Sequence, residues 1–204
     1  MSIALRPMTG DDVGHVPLAH QGEPDEVRQR IVELGSSAIL AFDGMQHVGQ
    51  LQFRLYEPGA RSPRGLHHPL YWADFEGRGP VLPARTLAVF CYHVGQLDDT
   101  DARDARYQGR GLGGRLLDAL LAWATEAGFA AVVAKAVSPE RGVMGFMGGQ
   151  PPAIYEARGF AVVATWVDAE LRALVEERRL APGADLDAAA RVACCVRSLG
   201  PAGA

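Results

Sequence analysis

The stretch Gln108-Gly109-Arg110-Gly111-Leu112-Gly113-Gly114 runs directly into Arg115-Leu116-Leu117. Behind the glycines, Leu112, Leu116, Leu120 and Ala124 recur four apart, with Leu117 and Leu121 on the adjoining row. That period predicts a helix with one buried face. A turn without side chains that opens a helix lets backbone N–H groups converge on an anion, where the helix dipole favours negative charge. The expected ligand is a phosphate or pyrophosphate.

Several phosphate-binding patterns compete here, beside a purely structural glycine turn. A Walker loop needs Lys and then Ser or Thr after its last glycine, and here Arg115 follows Gly114. Gly109-x-Gly111-x-x-Gly114 matches the dinucleotide fingerprint, but a polar loop from Asp98 to Arg106 stands where a strand should lead in, and Glu140 lies too far on to hold a ribose. The remaining pattern is Gln-x-x-Gly-x-Gly over 108–113, and there the sequence resembles the GNAT acetyltransferases, which cradle the pyrophosphate of acetyl-CoA in such a turn. A second match lies at Tyr155-Glu156-Ala157-Arg158-Gly159-Phe160, a Tyr, three residues and Gly-Phe, with a strand between the two motifs. The opening Ile3-Ala4-Leu5-Arg6-Pro7-Met8-Thr9-Gly10-Asp11-Asp12 is similar to the usual start of the family.

The 204 residues fit one domain, with the core of the resemblance over about 3–165 and a C-terminal helix and strand over about 166–199. A formal charge of −4 gives no reason to expect nucleic acid or a membrane surface as partner. No apolar run is long enough to span a bilayer and the first residues lack a signal-peptide core, so a cytoplasmic location is expected. Cys91, Cys194 and Cys195 show no metal-ligand spacing. They read as buried free thiols, and no metal is expected.

Taken in order, strands are expected at 3–6, 38–42, 48–56, 86–94, 130–134, 160–164 and 190–196, and helices at 23–34, 112–127, 151–158 and 168–179. Asp43-Gly44 marks a hairpin. In the strand at 48–56, Val48, Gln50, Gln52 and Arg54 alternate with apolar residues, so one face should be wet or ligand-facing. The strand at 86–94 is apolar on both faces until Tyr92-His93 and reads as central. Residues 58–85 and 138–150 read as loops shaping an acceptor pocket, with Tyr71, Trp72, Phe75 and Phe146 either lining it or packing as satellite core. The last strand is as free to pair across a homodimer as within the chain.

The resemblance implies a mixed α/β fold: a central mixed sheet with a parallel pair around the acyl-CoA site, flanked by helices. It implies transfer of an acetyl group from acetyl-CoA to a primary amine of a small molecule or peptide by direct attack. The backbone from Gly109 through Arg110, Gly111, Leu112 and Gly113 to Gly114 would seat the pyrophosphate, with Gln108 shaping the turn and Arg110 or Arg115 adding charge. Backbone groups near His93 and Val94 would meet the pantetheine and thioester. Tyr155 matches the position that donates to the leaving thiolate. No glutamate lies on the central strand, which leaves His93 as the base candidate, with Glu57, Asp98 and Asp99 as further options. Were Asp98-Asp99-Thr100-Asp101 to border the acceptor site, it would favour a cationic substrate. Two other readings stay open: a non-catalytic acyl-CoA-binding sensor or assembly module, and a dinucleotide-dependent oxidoreductase.

Overall fold

The computed structural model describes residues 2–58, 75–100 and 102–200. Strand β1 (Ile3–Pro7) leads through two short helical turns, Gly10–Asp12 and Ala19–Gln21, into helix α1 (Pro24–Leu34). Strands β2 (Ala38–Asp43), β3 (Gln46–Leu55) and β4 (Thr86–Val94) follow, then helix α2 (Leu112–Glu126) and strand β5 (Ala131–Ala136). The chain continues through helices α3 (Arg141–Met147) and α4 (Pro152–Glu156), strand β6 (Ala161–Val167), helices α5 (Ala169–Arg178) and α6 (Leu186–Ala189), and strand β7 (Arg191–Ser198).

The strands form one seven-stranded sheet in the order β1-β2-β3-β4-β5-β7-β6. Every neighbouring pair is antiparallel except β4 and β5. Their parallel pairing is short: Thr86, Leu87 and Ala88 meet Ala131, Val132 and Val133, and the register ends there. β4 is the central strand, and β7 pairs on both sides within the chain, so it has no edge to offer a second copy. The outer edge on that side belongs to β6, where Val162 and Val163 are exposed.

α2 buries the face that its period required. Leu116, Leu117 and Leu120 are fully buried against Leu51, Phe53, Leu87 and Val132. Burying each leucine contributes about 2 kcal/mol. On the opposite face of the sheet, Val133, Val137, Val143, Trp166, Leu171, Val175 and Cys194 form a second cluster, and Met8, Val13, Val27 and Leu40 a third under α1.

Two sequence expectations change, and one left open is decided. Residues 138–150 are not all loop: Arg141–Met147 form α3. Phe75 is 3% exposed and packs with Trp166 in the second cluster, and Phe146 packs beside it under Arg178, so both serve the core. Gln50 and Gln52 are not wet but fully buried. Tyr71, Trp72 and Asp101 lie outside the described residues. All three cysteines are buried free thiols, as read from the sequence.

Candidate functional site

The helix start lies against β4: a Cβ at Gly113 would fall 3.7 Å from the Tyr92 ring and 3.1 Å from the Gln150 side chain. Gly109 and Gly111 hold φ of 67° and 72°, the left-handed region that side chains disfavour. Gly111 caps α2, and the first helical hydrogen bond is Arg115 N–H to the Gly111 carbonyl. None of the N–H groups from Gly109 to Gly114 finds an acceptor among the described residues. A Cβ built at Gly109 or Gly111 meets nothing within 4 Å, so the turn opens onto free space. A row of unfilled donors at a helix N-terminus fits a diphosphate. At the start of this turn the Gln108 Oε1 accepts from the Arg141 guanidinium at 3.0 Å. Arg110 is exposed beside the donors, whereas Arg115 is turned away and donates to the Ile3 carbonyl at 2.7 Å.

β4 carries a bulge. Gln52 pairs with Cys91 and Phe53 with Val89, which leaves Phe90 without an opposite number. An extra residue resets which side chains face which side. Leu87 and Val89, and beyond the bulge Tyr92, therefore face α2, while Cys91 and His93 face the other way. Past Ala88, β4 and β5 no longer pair. The Tyr92 N–H on that edge donates to the Gly148 carbonyl at 2.8 Å, and the Val137 N–H just past the end of β5 donates to the Gln150 carbonyl at 3.1 Å. Residues 148–150 thus occupy part of the gap. Strand alternation places the Val94 N–H on the same edge as that of Tyr92.

On the α2 side, Tyr155 is 1% exposed and stands close to Tyr92. Burial, followed by the proximity of Tyr92, holds its phenol well above the usual tyrosine range, so it keeps its proton. α4 is pinned to α2 by Arg158, which donates to Asp118 at 2.7 and 3.2 Å and to the Ile154 carbonyl at 3.0 Å.

The opposite side is polar and closed. Under the Ala19–Gln21 turn, Gln50 donates to the Pro17 carbonyl, Gln52 to the Leu18 carbonyl and Gln21 to Gln50. Arg54 donates to the Gln21 carbonyl at 2.9 Å and stacks on Phe90, and burial brings its pKa down to about 9. His93 is 2% exposed, and burial, together with His20, Arg103 and His47, pushes its pKa well below 6.5. Arg103 donates to its Nδ1 at 3.2 Å. A guanidinium has only donors, so that bond puts the imidazole proton on Nε2. The base role expected of His93 therefore needs Arg103 to release Nδ1 first. Asp99 accepts from the N–H groups of Leu18 and Ala19, and Asp98 from Thr100, so both carboxylates are engaged by the chain itself. Glu57 is exposed just past the end of β3.

The sequence reading missed one gathering. His20, Cys91 and His93 place donor atoms within 4.8 Å of one another. His20 is far from the other two in sequence, and no spacing rule connects them.

The pattern of the acetyltransferase (GNAT) family matches residues 20–147. No curated protein sequence matches the chain. Among solved structures, a GNAT superfamily phosphinothricin acetyltransferase from Sinorhizobium meliloti, in complex with AcCoA, superposes with a TM-score of 0.53 at 16% identity, over 98% of this chain and 90% of that one. YncA of Salmonella typhimurium, described as a putative acetyltransferase with its cofactor acetyl-CoA, gives 0.52 at 16% identity over 100% and 98%. The ribosomal-protein-S18-alanine N-acetyltransferase of Escherichia coli gives 0.51 at 11% identity over 99% and 97%. At such identities the likeness shows the fold. Among the described residues no helix is long and apolar enough to cross a membrane.

Proposed function

Because the chain belongs to the acetyltransferase (GNAT) family, we propose that it transfers an acetyl group from acetyl-CoA to a primary amine of a small molecule or peptide. The observation that carries this reading is the row of unfilled N–H donors from Gly109 to Gly114, standing at the mouth of the β4–β5 gap. Those donors would hold the pyrophosphate, with the exposed Arg110 adding charge and Gln108 fixing the turn. The Val94 N–H faces the gap and would meet the pantetheine. Acetyl-CoA supplies the activated acyl group, as a thioester.

The amine nitrogen attacks the thioester carbonyl, the C–N bond forms and the C–S bond breaks. Tyr155, kept protonated by burial, donates a hydrogen bond to the departing sulfur, and the proton lost by the amine ends on the thiol. His93 accepts that proton in transit only once Arg103 has left its Nδ1. Its depressed pKa makes it a weak base, so the amine is best supplied neutral.

Release of free thiol from acetyl-CoA, followed with a panel of amines, tests the proposal. Thiol release that depends on one class of amine supports transfer. Tight acetyl-CoA binding without amine-dependent release supports the binding-module reading instead.

A further inference from the structure

We propose that His20, Cys91 and His93 form a binding site for a divalent transition-metal ion, with Zn2+ the best match to one thiolate and two imidazoles. The donor atoms of all three lie within 4.8 Å of one another. Around a tetrahedral Zn2+, sulfur and nitrogen ligands stand about 3.5 Å apart. Cys91 Sγ and His20 Nδ1 already stand 3.7 Å apart. Two of the donors share one strand face, since Cys91 and His93 are two residues apart beyond the bulge, and the rings of His20 and His93 meet edge-on at 5.0 Å.

Two further observations point to a ligand here. His93 is 2% exposed, and its Nε2 is buried without a partner among the described residues. An orphaned buried nitrogen is costly unless something binds it. The sulfur is accommodated by a missing side chain: a Cβ at Gly148, where φ is 56°, would fall 2.1 Å from Cys91 Sγ.

Binding exchanges the Cys91 thiol proton for the ion, and the proton goes to solvent. To ligate through Nε2, His93 moves its own proton to Nδ1, which Arg103 cannot accept, so Arg103 leaves. It is half-buried and already donates to the Thr100 and Ala102 carbonyls through its other terminal nitrogen. Three protein donors leave a fourth position for water or a substrate heteroatom. None of this depends on acetyl transfer.

The test is titration of the chelator-treated full chain with Co2+ as spectroscopic probe, repeated by competition with Zn2+. The expected result is one equivalent of Co2+ with a thiolate-to-cobalt charge-transfer band, displaced by Zn2+. Cys91→Ser should abolish that band, and His20→Ala should weaken binding by about ten-fold or more. Arg103→Met should tighten it several-fold, a gain that misfolding cannot mimic. Absence of the band, its persistence in Cys91→Ser, or indifference to His20→Ala in proteins with a normal melting transition would overturn the proposal. Acetyl-CoA titration of the same samples reads the cofactor seat separately, so the two proposals fail independently.

Discussion

The two sides of the β4–β5 gap are built on opposite plans. On the α2 side the useful groups are backbone: a run of N–H donors offered by glycines, over an apolar floor of Leu112, Leu116 and Tyr92. On the other side they are side chains: Gln50, Gln52, Cys91, His93 and the Lys135–Asp168 pair, all buried. Backbone donors need only a turn and a helix start, which lie within a few residues of each other. Buried side-chain networks must be satisfied by partners from elsewhere in the chain, here from the 17–21 turn and α5.

The largest effect should come from breaking the polar side at its ion pair. Lys135 Nζ and Asp168 Oδ2 are 2.7 Å apart with side chains 3% and 1% exposed, and Asp168 also caps α5 through the Leu171 N–H. Asp168→Ala removes the carboxylate partner of a buried lysine together with the cap of α5, and unfolding in urea should show a loss of about 3–5 kcal/mol. The pair lies beside Trp166 in the second cluster, on the face of the sheet opposite α2, so acetyl-CoA affinity in the folded fraction should hold. The next effect falls on the α2 side. Tyr155→Phe keeps the packing against Phe160 and removes the donor to sulfur, so kcat should fall by about a hundred-fold with little change in acetyl-CoA affinity, measured by thiol release and calorimetry.

What could be read in advance follows the same division. The glycine turn, α2, the 86–94 strand and the Tyr155–Phe160 junction are short-range patterns, and each stands where its spacing put it. The alternation of Gln50, Gln52 and Arg54 was also legible, but its meaning was not. A polar strand face is ordinarily wet, and only the Ala19–Gln21 turn folding over it makes it buried. α3 was missed because Gly142 and Gly145 are poor helix formers, and packing overrides their propensity. The His20–Cys91–His93 gathering joins distant segments and leaves no local signature.

The histidines sharpen the contrast further. Burial depresses His47 to about 4 and pushes His93 well below 6.5. Unfolded histidine protonates near 6.5. Below that pH the unfolded chain binds more protons than the folded one. Stability is therefore full above about pH 6.5 and lost on acidification, by about 1.4 kcal/mol per pH unit for each such histidine. For His47 the window closes near pH 4. His47→Phe should flatten the slope of unfolding free energy against pH between those limits, and an unchanged slope would show that His47 is solvated.

The smallest effect on stability should come from Gln52→Leu. The side chain is fully buried, its Oε1 has no partner among the described residues, and it gives up one bond to the Leu18 carbonyl. Losing a bond and an orphan together should change stability by less than about 1 kcal/mol in thermal melts. A larger loss would mean that the polar face holds the fold together rather than serving a ligand.

The proposed acetyl transfer rests on the turn at 108–114. Calorimetric titration of acetyl-CoA into the wild type and Gly111→Glu tests it most directly, because a glutamate there sets a carboxylate among the donors while its Cβ meets nothing. The left-handed backbone at Gly111 costs such a variant about 1–2 kcal/mol, which a melt will show without abolishing the fold. One-to-one binding by the wild type and a loss of about a hundred-fold or more in the variant are expected. Equal affinity in both proteins, or no binding to folded wild type, would contradict it.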